Sequence, residues 1–280
     1  MSKNFEEIIN QQRDSWNNFS PGWKKWDSVN MQFLMPVGNA IIQRLALEND
    51  HNVLDVASGT GEPGLSIAEI VDKGKVIGID LSEGMLETAR EHAASRNITN
   101  YQTRTADVSK LPFPDQSFDA ISCRMGFMFF PDILSTLNEM RRVLKPGGRL
   151  AVSVWGPPKN NFWVTVTMGT INQLMDLPPP PKDAPGMFRC AIPGLMAEQF
   201  KKAGFKNINE SEVNTALNMD AATYWEMITE VGAPIVAAMS NADAPKREQI
   251  KNEVFKKIHE KFPNGDISLQ GFAILISGEA

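Results

Sequence analysis

The sequence predicts an α/β fold, a doubly wound, Rossmann-like sheet that is mostly parallel and carries helices on both faces. Three observations lead there. Between about residues 52 and 155 short apolar runs alternate with stretches of helical periodicity, the first run ends in a glycine-rich turn, and several runs close on an acid. Such alternation builds parallel strands joined by right-handed helical crossovers.

NVLDVA (52–57) is the first strand, and after its turn Leu65, Ala68 and Val71 recur at helical spacing over 64–72. Pro63 lacks an N–H and has a preset backbone angle, so it suits the first turn of that helix. KVIGID (75–80) is the second strand. Ser82 is placed to cap the next helix, on which Met85, Leu86, Ala89 and Ala93 share a face. YQTRTADV is a third strand ending at Ala106-Asp107, LPFPDQS is turn chemistry, and FDAISCR (118–124) is the fourth strand. Asp132 caps a helix whose stripe is Ile133, Leu137, Met140 and Leu144; Lys145-Pro146-Gly147-Gly148 stops it, and RLAVSVW (149–155) is the fifth strand.

After Trp155 the rhythm changes. A mostly apolar helix is expected near 161–176, then a stiff Pro-rich spacer (PPPPKDAPG), a helix over 193–203, a strand in NINESEVNTAL, helical patterns over 221–262, and a closing strand in SLQGFAILISG. The chain thus divides into an N-terminal helical lid (1–50), a core (51–156), an insertion or cap (157–192), and the rest of the core (193–280) with a helical insertion at 221–262.

Composition narrows the partners. With 280 residues and 42% hydrophobic content the chain can bury a sizeable core, and its net charge of −5 without a Lys/Arg cluster argues against nucleic acid. Cys123 and Cys190 lie in apolar surroundings and read as buried thiols, and His51, His92 and His259 fall at no ligand spacing, so no metal is implied. No apolar stretch is long enough to span a bilayer and the N-terminus has no secretory pattern, which makes a cytoplasmic protein the expectation.

The turn after the first strand spells G-x-G-x-x-G from Gly59 to Gly64, the nominal mark of a dinucleotide site, with Asp80 where a ribose-binding acid falls. Asp55 counts against that reading. A carboxylate roughly 4 Å from a pyrophosphate costs about 4 kcal/mol at an effective dielectric near 20. S-adenosylmethionine presents a sulfonium and an ammonium beside one carboxylate and has no phosphate, so acids at the ends of three strands (Asp55, Asp80, Asp107) suit it better. Asp80 has two oxygens for two ribose hydroxyls, and Asp107 can meet the adenine amine.

These motifs, D-V-A-S-G-T-G (55–61), G-I-D-L-S-x-x-M (78–85), A-D-V (106–108), L-P-F-P-D-x-S-F-D (111–119) and L-N-E-M-R-R-V-L-K-P-G-G-R-L (137–150), together resemble the ordered motifs of class I S-adenosylmethionine-dependent methyltransferases. The nearest likeness is to the ubiquinone/menaquinone-biosynthesis group and its small-molecule relatives. The resemblance implies a seven-stranded sheet with an antiparallel last strand. It also implies that Asp55, Ala57, Ser58, Gly59 and Gly61 surround the methionine part and that Asp80 binds the ribose. Leu81 and Met85 would then flank adenine, and Ala106, Asp107 and Val108 would border its amine edge. Trp26, where relatives often carry Tyr before Asp, would cover the cofactor. The chain departs from the quinone-methylating pattern at Phe127-Met128-Phe129-Phe130 and in the segment 156–192, so a quinone substrate does not carry over.

Methyl transfer needs alignment and exclusion of water more than it needs an acid. The sequence names no catalytic base; His259 sits among Lys256, Lys257, Glu260 and Lys261 on what reads as a solvated helix face. Arg124 has two readings, a fork for a cofactor or substrate carboxylate or a structural partner of Asp80 or Asp107. Trp16, Phe19, Trp23 and Trp26 either dock the N-terminal arm or, with Phe162, Trp163 and the 125–130 run, roof an apolar pocket. The expectation is methylation at O or C of a small aromatic or apolar acceptor. An NAD-dependent oxidoreductase and a non-catalytic cofactor-binding protein are the rivals.

Overall fold

Val53, Leu54 and Val56 are all buried, as a strand covered on both faces requires. The computed structural model, which describes residues 5–178, 181 and 184–280, places them in β1 (Asn52–Val56), an interior strand of a seven-stranded sheet. The other strands are β2 (Lys75–Asp80), β3 (Tyr101–Thr105), β4 (Phe118–Arg124), β5 (Leu144–Trp155), β6 (Lys206–Asn218) and β7 (Ser268–Glu279). Their order is β3-β2-β1-β4-β5-β7-β6, and β7 runs antiparallel between β5 and β6. Strand order reverses between β1 and β4, which opens a crevice beyond the carboxyl ends of the strands.

Helices α1 (Phe5–Lys25) and α2 (Asp27–Leu45) precede the sheet; α3 (Gly64–Ile70), α4 (Glu83–Ser95) and α5 (Ile133–Val143) cross between its strands. Ser82 caps α4 by accepting Met85 N–H at 3.2 Å, and Asp132 caps α5 by accepting Ser135 N–H at 2.9 Å, both as expected. Beyond β5 come α6 (Phe162–Met175), α7 (Leu195–Lys202), α8 (Ala221–Val231), α9 (Ala233–Ser240) and α10 (Ala244–Lys261).

Several boundaries differ from the sequence reading. β3 stops at Thr105, and Asp107 instead caps a short 3-10 turn by accepting Ser109 N–H at 2.9 Å. Leu144 leaves the helix and pairs with Phe118 at the start of β5. Pro63 occupies the cap position just before α3. The block 221–262 is three helices, broken at Gly232, where Pro234 follows, and before Asp243, whose carboxylate accepts Lys246 N–H at 2.8 Å. The Pro-rich spacer lies partly outside the described residues, at 179–180 and 182–183.

Cys123 and Cys190 are buried thiols, as read from the sequence. No helix among the described residues is long and apolar enough to cross a membrane.

Candidate active site

The turn after β1 is shaped by residues with left-handed backbone. Ala57 and Gly59 have φ of 53° and Gly61 has φ of 113°, a region open to glycine and costly for larger residues. A side chain on Gly61 would come within 2.7 Å of Leu65, so the turn can fold onto α3 only with glycine there. Asp80, at the end of β2, braces this turn. Its Oδ2 accepts Gly59 N–H at 3.0 Å and its Oδ1 accepts Ser82 N–H at 2.9 Å. Burial pushes its pKa up, against the backbone N–H groups of Ser82, Gly59 and Leu81, which favour the charged form.

Asp55 is placed differently from the sequence expectation. It lies within β1, paired to Gly78 on one side and Ser122 on the other, and it is fully buried. Its carboxyl accepts Ser122 Oγ–H at 2.6 Å and Gly64 N–H at 3.1 Å. Burial pushes its pKa up to about 7, opposed by the Ser122 hydroxyl, the Arg124 charge and the Gly64 N–H. It is a tether beneath the turn and lines no part of the crevice. A ligand in the crevice therefore does not touch its carboxyl, and the sequence expectation of an acid in direct contact with the ligand is corrected. Gly64 follows from the same contact, because a Cβ there would sit 2.6 Å from Asp55 Oδ2 and 2.9 Å from the Tyr101 ring.

One continuous cleft runs over the strand ends. Its first half is lined by Ala57, Ser58 and Gly59, by Asp80, Leu81 and Met85, by Ala106, Asp107 and Val108, and by Arg124. Of the sequence-expected residues, Asp55, Gly61 and Trp26 stand outside it. The second half is apolar: Phe33 and Leu34 of α2, Phe129 and Phe130 after β4, Trp155 and Trp163, Met187, and Met227 of α8. Phe33, Trp155 and Trp163 pack ring on ring with centroids 5.0 to 5.8 Å apart.

The wall that α1 and α2 contribute is one helical stripe. Trp26 interrupts α1 and α2, yet its N–H still reaches Gly22 C=O at 3.0 Å and its C=O accepts Asn30 N–H at 2.9 Å, so the two run on almost as one helix. Residues 9, 16, 23 and 30 therefore share a face, and all four (Ile9, Trp16, Trp23, Asn30) line the cleft. Trp26 points elsewhere: its Nε1–H donates to Glu230 Oε2 at 2.7 Å on α8. Its neighbour Asp27 holds the glycine turn, accepting Thr60 Oγ1–H at 2.7 Å, while His92 is half-buried with Nδ1 2.9 Å from Thr60 C=O.

Among the described residues of the cleft wall the acids are Glu62, Asp80 and Asp107, and no histidine is present. Glu62 is paired with Arg96, and Asp107 is held by Ser109. His259 lies on the exposed face of α10. Arg124 pairs with neither Asp80 nor Asp107; its Nη2 contacts Met31 Sδ at 3.3 Å. Burial lowers its pKa, while the charges of Asp55, Glu62 and Asp27 favour the guanidinium. Glu48, Asp50 and His51 bring ligand atoms within 4.8 Å of one another, but at the exposed turn before β1, at the opposite end of the sheet.

Residues 53–148 match the methyltransferase domain family. Over 211 residues the chain is 31% identical to the demethylmenaquinone methyltransferase of Listeria monocytogenes, covering 69% of this chain and 86% of that protein. The chain belongs to the class I S-adenosylmethionine-dependent methyltransferases. Among solved structures, a SAM-dependent methyltransferase from Aquifex aeolicus aligns with a TM-score of 0.51 at 24% identity, over 68% of this chain and 89% of that one. The [4+2]-cyclase SpnF aligns with a TM-score of 0.55 at 22% identity, over 86% and 79%. These last two likenesses concern the fold alone.

The cofactor of this methyltransferase is S-adenosylmethionine, and the first half of the cleft fits it. Nothing stands within 4 Å of where a Cβ on Gly59 would be, so a ligand can approach that backbone. The open readings of the aromatic segments resolve by position. Phe127 and Met128 are core, whereas Phe129 and Phe130 face the cleft. Trp16 and Trp23 roof the cleft, whereas Phe19 packs edge-on against Trp16 and Trp26 docks the helix to α8. Trp163 lines the methyltransferase cleft, and Phe162 lies under Lys261, 3.9 Å from its ring centre. Asn30, Phe33, Leu34, Trp155, Met187 and Met227 were missed; the seven-residue spacing of positions 9, 16, 23 and 30 was the signal for the first.

Proposed function

We propose that the enzyme moves a methyl group to O or C of a small aromatic or apolar acceptor held in the second half of the cleft. The observation that supports this is the continuity of the two halves, one edged by polar backbone and Asp80, the other walled by aromatic rings and methionines. On this reading Ala57, Ser58 and Gly59 lie along the methionine part, and Asp80 meets the ribose. Leu81, Met85, Ala106, Asp107 and Val108 surround the base, and Arg124 takes the carboxylate. When bound, the cofactor supplies an electrophilic methyl on a sulfonium. The chain's part is to orient and to keep water out. Trp16 and Trp23 close the roof, and residues 157–192 and 221–234 furnish the far wall through Trp163, Met187, Met227 and Val231.

Thermal unfolding with S-adenosylhomocysteine tests the reading. At about 100 times its dissociation constant the ligand adds about 2.7 kcal/mol of stability. Asp80→Ala should remove that gain, and a gain retained in the variant refutes the ribose assignment.

A further inference from the structure

His92 of α4 closes a ring of contacts around the glycine turn. Its Nδ1 stands 2.9 Å from Thr60 C=O, and its Nε2 stands 3.7 Å from Asp27 Oδ2 at the start of α2. Asp27 Oδ1 in turn accepts the Thr60 hydroxyl at 2.7 Å. The helix α4, the turn and α2 thus meet in one clasp, in which Thr60 is buried and His92 and Asp27 are half-buried. Both partners of His92 belong to walls of the cleft: Thr60 lines it from the turn, and Asn30, Phe33 and Leu34 line it from the helix that Asp27 begins.

The partners decide where the protons sit. A carbonyl oxygen only accepts, so Nδ1 carries a proton. In the neutral ring Nε2 then turns a lone pair toward the Asp27 carboxylate, whereas in the imidazolium it turns an N–H. The clasp therefore fits the charged ring. The other charges on the elements packed around it are engaged elsewhere. Arg96 of α4 pairs with Glu62, just before α3, and with Glu69 on it, and Lys24 of α1 pairs with Glu91 of α4. Arg124, at the end of β4, is close enough for the Asp27 charge to favour its guanidinium, but its hydrogen bond goes to Met31.

We propose that His92 is a positioning residue for the cofactor: as an imidazolium it holds Asp27 and Thr60 together, so that cofactor binding and protonation of His92 favour each other. This rests on the reading that Gly59 and its neighbours lie along the cofactor. A ligand between the turn and α2 needs both walls in place, and the clasp is what joins them. A ligand that closes the clasp draws Asp27 to Nε2, and a proton on Nε2 closes the clasp for the ligand. His92 is absent from the cleft wall among the described residues, so it acts through Thr60 and Asp27.

The chain has three histidines, so His51→Gln and His259→Gln assign the ring signals in nuclear magnetic resonance and leave that of His92 identified. At about pH 7 the His92 signal of the wild type should move toward its imidazolium position when S-adenosylhomocysteine is added. In calorimetry, His92 should make the affinity for this ligand fall about two- to fivefold from about pH 6 to about pH 8, the worth of a partly exposed ion pair. That part of the fall should vanish in His92→Gln, which keeps a donor for Thr60 C=O without the charge. It should vanish equally in Asp27→Asn, which keeps an acceptor for the Thr60 hydroxyl. Asp55, whose carboxyl burial pushes up to about 7, is common to all three proteins and cancels from the comparison. A His92 signal that does not respond to the ligand, or the wild-type pH dependence retained in either variant, overturns the inference. Failure of S-adenosylhomocysteine to stabilise the wild type instead removes the cofactor reading on which it stands, and the inference with it.

Discussion

Asp55→Asn tests whether the acid in the first motif acts on the ligand or on the fold. Asparagine keeps an oxygen for Gly64 N–H and can donate its NH2 to Ser122 Oγ, so the tether survives while the charge goes. Burial raises the carboxyl from its ordinary 3.8 to about 7. A carboxyl whose folded pKa lies above its unfolded value holds its proton longer in the folded chain, so ionisation opposes folding. Its contribution is full below about pH 4 and is lost as pH rises through about 7. At about 1.4 kcal/mol per pH unit the interval from 3.8 to about 7 amounts to about 4 kcal/mol. Urea unfolding of both proteins across this range measures it. The variant and wild type should have equal stability near pH 4, and the variant should be more stable by about 4 kcal/mol above pH 7. A difference that does not vary with pH refutes the assignment of a neutral, buried carboxyl.

Other substitutions report on neighbouring parts of the site. Gly64→Ala pushes a methyl against Asp55 and Tyr101, and an overpacking cost of about 1 to 3 kcal/mol should appear in the unfolding midpoint; an unchanged midpoint contradicts the close approach. Ser82→Ala removes both the α4 cap and the hydroxyl that donates to Asn17 Oδ1 at 2.8 Å, costing about 1 kcal/mol or more by the same measurement. Trp26→Phe removes the bond to Glu230 and should cost about 1 kcal/mol of stability while leaving S-adenosylhomocysteine affinity unchanged in calorimetry. Weakened affinity in that variant returns Trp26 to the roof of the cofactor.

The strands of the core, their order of appearance and two helix caps were readable because each rests on local chemistry: an apolar run, a turn, a short polar side chain before a helix. Asp80 and Asp107 were read into the crevice for the right reason, since each stands where a strand has ended. Asp55 was not, because it was counted with the acids at the strand ends although it stands before the end of its strand. It is inside β1 with partners on both sides, so its side chain cannot reach past the strand end. The breaks in 221–262 were legible in Gly232-Ala233-Pro234 and in Asp243-Ala244-Pro245, a cap followed by proline within the first turn. Trp26 was assigned by analogy of position. The contact that turns it away, Glu230, lies 204 residues on and leaves no local trace.

Helix α1 is fastened at both ends of the cleft. Asn17 holds it to Ser82 beside Asp80, and Lys25 and the adjoining Trp26 hold it to Glu230 of α8, whose Met227 and Val231 line the apolar half of the cleft. A ligand that steadies the helix at one end steadies it at the other, so the second ligand meets a wall already in place. Cofactor and acceptor should therefore raise each other's affinity by one and the same factor, which makes the order in which they arrive a matter of kinetics and the pairing itself a property of a single helix.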